Sequence, residues 1–328
     1  MRLLVTGGCG FIGSNFIRYI LKKYLNYEVV NLDKLTYSGN PDNLIDIQNN
    51  GRYRFVKGDI CDSRLVKKLI ENADAIVNFA ASTHVDRSIE DSSDFIETNI
   101  KGVHNILEVL KNFNSKRFIH ISTDEVYGSI ALGCFREDSS LDPSSPYSAS
   151  KAGGDLLCKA YHTTYKLPVV IARSSNNFGP YQYPEKIIPL FVTNLLDNNN
   201  VSLYGDGLNV RDWVYVEDNV RAIDLILHKG KVGEIYNIAT GDEMSNLNLT
   251  KLILSNLNLT FDKMKFVKDR LGHDRRYSLN SKKLEGLGWR SIYSFKKALE
   301  ITIEWYKNNR LWWEKIKLSK DYIRAFNN

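Results

Sequence analysis

The first thirteen residues constrain this chain more than any other stretch. Leu3-Leu4-Val5 reads as a short strand, Gly7, Gly10 and Gly13 follow at three-residue spacing, and residues 14–24 carry a helical pattern. Glycines at such a turn let the backbone close tightly and approach a ligand, so a pyrophosphate can rest on the helix N-terminus, where free N–H groups and the helix dipole favour an anion. A Gly-rich string alone also occurs as an ordinary turn. Here Asp33 ends a second strand, 20 residues after Gly13. An acid at that place accepts hydrogen bonds from both ribose hydroxyls of a dinucleotide and disfavours a 2′-phosphate, so NAD is expected rather than NADP. The competing reading of Asp33 is a strand-end cap.

The rest of the first half repeats the strand-helix alternation. Residues 3–5, 28–32, 53–56, 75–79 and 118–122 read as strands, and Phe95, Ile100, Val103, Ile106, Leu107 and Leu110 recur at helical spacing. That pattern predicts an α/β fold, a Rossmann-type doubly wound parallel sheet with helices on both faces. Beyond Pro168 the pattern is less regular. Strands are expected at 169–172, 201–204, 213–216 and 235–238, helices at 187–196 and 294–309, and a turn at Asn176-Asn177-Phe178-Gly179-Pro180. The section beginning Leu311-Trp312-Trp313 is expected to pack on the body. No linker or repeat divides the chain, so 1–175 and 176–328 are read as a first domain and a smaller, interleaved C-terminal α/β domain.

Composition removes several function classes. With 44 basic and 38 acidic residues the net charge is only +6, and no Lys/Arg block gathers it; nucleic acid is not an expected partner. A small anionic substrate suits that balance, as does an ordinary solvated surface. Cys9, Cys61, Cys134 and Cys158 lie far apart without a C-x-x-C pair, which suggests neither a metal site nor a disulfide framework and fits a reduced, cytoplasmic setting. Met1 leads directly into the first strand, leaving no room for a signal peptide, and no apolar run approaches the ~20 residues of a membrane span.

Two further patterns carry chemistry. Thr123-Asp124-Glu125 follows the strand at 118–122, and Tyr147 and Lys151 stand four apart at the start of a helix, on one face. An ammonium beside a phenol stabilises phenolate and lowers a pKa that is otherwise about 10, which makes Tyr147 a base at neutral pH. A Tyr four residues before a Lys is also a common surface pair.

These residues, with Gly7-Gly8-Cys9-Gly10-Phe11-Ile12-Gly13, Asp33-Lys34-Leu35-Thr36-Tyr37, His84-Val85-Asp86-Arg87-Ser88, Ser122 to Gly128, Ser175-Asn176-Asn177, Pro184-Glu185-Lys186, Arg211-Asp212-Trp213 and Gly272 to Tyr277, resemble the extended short-chain dehydrogenase/reductases. Within them the chain is similar to the dTDP-glucose 4,6-dehydratases over nearly its whole length. The resemblance implies an NAD-dependent lyase that oxidises a sugar nucleotide at C4, eliminates water across C5 and C6, and reduces C6. Tyr147 would take the 4-OH proton, Thr123 hold the 4-oxygen, Lys151 tune the phenol and bind the nicotinamide ribose, Glu125 remove the C5 proton and Asp124 protonate the departing 6-OH. It also implies cofactor contacts from Gly7, Gly10, Phe11, Ile12, Gly13, Asp33, Lys34, Thr36, Asp59, Ile60, Phe79, Ala80, Ala81, Thr98, Tyr147, Lys151 and Asn177. Nucleotide-sugar contacts would come from Thr83, Thr123, Asn176, Lys186, Ile187, Tyr204, Arg211, Asn246, Arg270 and His273. Tyr204 reads equally as core, and Arg211 as a structural ion pair.

By the same resemblance 1–175 binds NAD and carries the catalytic groups, 176–328 binds the nucleotide sugar, and two helices near 92–111 and 147–165 pair subunits into a homodimer. The chain departs from the family at Ser82, where an acid is usual, at Cys9, which adds an oxidisable thiol to the turn, and at Leu271, where Pro is common. The residues leave open UDP-glucose as substrate, a 4-epimerase, which Asp124-Glu125 opposes, and a non-catalytic NAD-binding protein.

Overall fold

The alternating pattern folds as its spacing requires. The computed structural model describes residues 1–113, 115–269 and 272–326. Twelve strands are found in it: β1 (Arg2–Thr6), β2 (Glu28–Asp33), β3 (Tyr53–Lys57), β4 (Ala75–Asn78), β5 (Arg117–Thr123), β6 (Val169–Ser174), β7 (Asn176–Phe178), β8 (Val201–Tyr204), β9 (Val210–Tyr215), β10 (Ile235–Ile238), β11 (Glu243–Ser245) and β12 (Met264–Val267). Seven form one sheet in the order β10-β6-β5-β4-β1-β2-β3, and every pairing in it is parallel.

A parallel sheet covered on both faces needs apolar side chains at successive strand positions. In β1, Leu3 and Val5 enter the core on one face with Val77, Ile119 and Val170, while Leu4 enters the other with Ile76, Phe118 and Val169. The helices Phe11–Lys23 and Val216–Lys229 cover the first face; Ser63–Glu71 and Val103–Leu110 cover the second. Strand order reverses between β1 and β4, so a crevice opens at their carboxyl ends, the usual ligand site of such sheets.

Three segments differ from the sequence reading. Asn176–Phe178, expected as a turn, is a strand paired in parallel with β9. Phe178 drives this by burying its ring among Trp213, Tyr215 and Phe295, a long-range contact that local turn residues do not reveal. The helix expected over 95–110 is interrupted: Ser93–Ile96 and Val103–Leu110 are α-helical, but Glu97–Gly102 winds more widely as a π-helix. In that segment Asn99 clamps the neighbouring loop, accepting from Ser82 N and donating to Ser82 O. The strand expected at 213–216 begins earlier and yields at Val216 to a helix. The C-terminal section packs as expected, with Trp313 fully buried and its indole N–H bonded to Tyr306 O. Among the described residues no helix is long and apolar enough to cross a membrane, and no cluster of metal-ligating side chains occurs.

Candidate active site

The Gly-rich turn forms the floor of the crevice. Gly7 has φ +70°, and a Cβ there would lie 2.5 Å from Ala80 N; one at Gly13 would lie 2.5 Å from Gly7 O. Neither position tolerates a side chain without moving backbone. Gly10 caps the helix Phe11–Lys23 with no side chain over its end, so the first-turn N–H groups, which have no partners within a helix, stay available to an anion. Asp33 ends β2, and its buried carboxylate accepts from Cys9 N and Leu35 N, both at 2.8 Å. Burial raises its pKa against these two donors. Asp33 thus braces the turn as a cap does while lining the crevice. Lys34 and Asp59 form an ion pair of 2.8 Å at the rim.

Every residue assigned to the cofactor lines this one crevice, together with Thr123, Asp124, Glu125, Thr83, Asn176 and Lys186. β5 delivers Thr123, whose hydroxyl caps the single 3-10 turn Asp124–Tyr127 by accepting from Glu125 N at 3.2 Å and donating to Asp124 Oδ1 at 3.1 Å. Opposite, Ser145 and Ser148 form a capping box at the start of the helix Pro146–Tyr165, with Pro146 in its first turn. This fixes Tyr147 within the first turn, with its ring edge-on to Phe95. Lys151 is buried, and its ammonium donates to Ile121 O at 2.6 Å.

The electrostatics correct one expectation. The Tyr147 pKa lies above its ordinary value, not below: burial comes first, then the negative charge of Glu125, with the Thr123 hydroxyl opposing. Burial also lowers Lys151, to about 8.

The adjacent carboxyls behave differently from one another. Asp124 is buried and pushed up to about 8, chiefly by burial and then by the charge of Glu125, whereas Glu125 is partly exposed. Between the ordinary 3.8 and about 8, the native state keeps a proton that the unfolded chain has released, so stability falls as pH rises through that window. Asp124→Asn cannot ionise and removes this contribution. Its melting temperature is expected to gain on the wild type progressively from pH 5 to pH 9, as followed by calorimetry. A constant difference across that range would contradict a protonated Asp124.

The remaining substrate candidates do not line this crevice, although the charge of Arg211 bears directly on Asp124. Ile187 begins the helix Ile187–Leu196 and packs partly on the core. Tyr204 and His273 meet ring to edge at 6.3 Å, His273 Nδ1 lies 2.6 Å from Asp269, and Asn246 opens the helix Asn246–Asn256. Arg211 donates to Asp274 O and lies 4.3 Å from the centre of the Tyr277 ring. Arg270 lies outside the described residues. Tyr277 joins the two groups, since the charges of both Glu125 and Arg211 bear on its hydroxyl.

Other crevice residues carry no assigned role from the sequence. Ser122, Ser174, Ser175, Gln182 and Glu185 also line it. Ser122 Oγ, Ser175 Oγ and Gln182 Oε1 are buried with no hydrogen-bond partner, as are Asn176 Oδ1 and Asn177 Oδ1, whereas Glu185 Oε2 pairs with Arg87 at 3.4 Å. Buried polar atoms are normally satisfied, so such a group marks a wall built for a polar ligand. The signal available beforehand was position: Ser122 and Ser174 stand at carboxyl ends of strands. The thiol at Cys9 is buried and pushed up to about 12, which makes it a poor target for oxidation rather than a sensitive one.

The model of the GDP-mannose 4,6-dehydratase family matches residues 4–302. The chain belongs to this family. Among the dehydratases, it is 50% identical to a dTDP-glucose 4,6-dehydratase of Streptomyces niveus over 322 residues, 97% of this chain and 96% of that one. DesIV, a dTDP-glucose 4,6-dehydratase from Streptomyces venezuelae solved with NAD bound, superimposes with a TM-score of 0.95 at 51% identity, covering 97% of this chain and 100% of that chain. The fold extends beyond dehydratases: a UDP-glucuronic acid 4-epimerase from Bacillus cereus superimposes at 0.89 with 29% identity, covering 94% and 99%.

Proposed function

We propose that this chain is an NAD-dependent dTDP-glucose 4,6-dehydratase, with the cofactor and catalytic groups in 1–175 and the nucleotide sugar held largely by 176–328. The observation that carries the reading is the pair of carboxyls directly after Thr123, in the same crevice as Tyr147, with Asp124 held protonated and Glu125 partly exposed. An epimerase, which eliminates nothing, has no use for such a pair. The glycine cradle, the Asp33 carboxylate and the unpartnered Asn177 and Ser175 oxygens fit a dinucleotide.

When bound, NAD supplies the oxidant for C4 of the sugar and the reductant for C6. Tyr147 removes the 4-OH proton as C4 is oxidised, and Thr123 Oγ1 holds the 4-oxygen. The ketone formed makes the C5 proton acidic. Glu125 takes that proton while Asp124, protonated at neutral pH, gives its own to the departing 6-OH, so one water leaves; as C6 is reduced Glu125 returns its proton to C5, and the proton Tyr147 took from the 4-OH replaces the one Asp124 gave up. Neighbouring carboxyls divide acid and base work when their environments separate their pKa values.

Incubation with NAD+ and either dTDP-glucose or UDP-glucose, followed by NMR, tests the reading. A 4-keto-6-deoxy sugar nucleotide formed faster from dTDP-glucose is the expected result. A 4-epimer, or faster turnover of UDP-glucose, would count against it. We also propose a cytoplasmic homodimer. Supporting this are four cysteines without disulfides and apolar side chains exposed on the candidate pairing helices, Ile96 (48%) and Leu156 (57%).

A further inference from the structure

Beneath the crevice runs a buried polar chain that the chemistry above does not use. Thr6 Oγ1 in β1 donates to Asn78 Oδ1 in β4 at 2.5 Å, and Asn78 Nδ2 faces His120 Nδ1 in β5 at 3.2 Å. With its oxygen engaged by Thr6, the Asn78 amide offers its N–H, so His120 Nδ1 accepts and the ring proton sits on Nε2. That Nε2 lies 3.6 Å from Asp155 Oδ1 on the helix Pro146–Tyr165. The other oxygen, Asp155 Oδ2, accepts from Arg173 Nε in β6 at 2.8 Å. Arg173 in turn lies 4.7 Å from the centre of the Tyr127 ring, and Tyr127 donates to Asn237 Oδ1 in β10 at 2.9 Å. Asp155, His120 and Arg173 are all buried.

Charges so deep cost desolvation, and an apolar cluster of equal volume commonly stabilises a core as well or better. The carboxylate therefore calls for a use. Asp155 stands four residues after Lys151 and eight after Tyr147, on one face of the helix. Gly154 brings that helix close to β5: a Cβ there would lie 3.3 Å from His120 Nε2 and 2.8 Å from Asn99 O. Lys151 pays for its burial with a weakened hold on its proton, and Asp155 is the foremost charge opposing that loss, ahead of Cys158. His120 stays neutral, its pKa held far down by burial and by the charges of Lys151 and Arg173. The groups facing the Lys151–Asp155 pair are thus Tyr147 and Cys158 on the same helix, His120 from β5, and Arg173 from β6 with Tyr127 behind it. Tyr127 belongs to the turn that carries Asp124 and Glu125. The Asp155–Arg173 ion pair therefore connects both halves of the candidate catalytic set.

We propose that Asp155 is a positioning residue: held by Arg173, its carboxylate supports the buried Lys151 one turn back on the same helix face and seats the Tyr147 helix against the carboxylate turn. The proposal rests on the reading of Lys151 as the partner of a catalytic Tyr147. Its test does not depend on turnover. In full-length protein labelled with 13Cε-lysine, the Lys151 signal is identified by its loss in Lys151→Arg and titrated in the wild type and in Asp155→Asn. The midpoint is expected to fall by about one pH unit in the variant and to return toward the wild type in Asp155→Glu. Because Asp155→Asn strands the Arg173 charge, Asp155→Asn with Arg173→Met serves as a second variant free of an unpaired ion, with a smaller fall in the midpoint expected because the opposing cation is gone as well. An unmoved Lys151 midpoint in either folded variant overturns the proposal. The alkaline limb of kcat should move with the midpoint while KM holds. A lowered midpoint with an unmoved kcat limb supports the charge role of Asp155 and counts instead against a part for Lys151 in the reaction.

Discussion

Replacement of Tyr147 by Phe is expected to reduce kcat for dehydration roughly a hundred- to ten-thousand-fold, the usual worth of a positioned general base. The variant should fold as the wild type does. Its ring would still meet Phe95, and its backbone N–H would still reach Ser88 Oγ. Thr123 keeps its own contacts, accepting from Glu125 N and donating to Asp124. Only the phenol is lost. Burial and then the charge of Glu125 hold the Tyr147 proton firmly, with the Thr123 hydroxyl opposing. Steady-state kinetics with a melting curve as control decide the matter. A Tyr147→Phe enzyme within tenfold of wild type would remove Tyr147 from the chemistry.

Sequence makes legible what depends on residue type at fixed spacing. Gly7 and Gly13 are forced by contacts that no side chain fits, and such steric demands leave a glycine in the sequence. The two faces of the sheet follow from alternation within β1 alone. Tyr147, Lys151 and Thr123 sit where helix and strand periods place them. What stayed hidden depends on distant partners. Asn176–Phe178 reads as a turn because its strand character comes from Val214 and Phe295, far along the chain. The π-helical Glu97–Gly102 keeps a helical apolar pattern, so its wider winding leaves no mark in the periodicity. The Tyr147 pKa could not be read from the Tyr-Lys spacing, since burial, a property of the assembled crevice, outweighs the neighbouring ammonium. Likewise the pairing of Asp155 with Arg173 joins a helix to β6, and nothing local announces it.

The second large effect is expected when the two carboxyls are neutralised together. Asp124→Asn with Glu125→Gln should leave oxidation at C4 intact, seen as the substrate-dependent absorbance of the reduced cofactor, while formation of the 6-deoxy product falls by at least about a thousandfold. The two steps have different requirements. Oxidation needs only Tyr147 and Thr123 near C4, and Thr123 is placed by β5, not by the turn that follows it. Elimination needs a base at C5 and an acid at the 6-oxygen, and the double variant has neither. The single variants then assign the roles. With Glu125→Gln, exchange of the C5 proton with deuterated solvent should stop, because the partly exposed carboxylate that collects it is gone. With Asp124→Asn the exchange should persist while water leaves slowly, because the amide cannot deliver the proton that buried Asp124 holds up to about pH 8. Exchange lost in Asp124→Asn and kept in Glu125→Gln would reverse the two roles, and a double variant that dehydrates at the wild-type rate would take both residues out of the elimination.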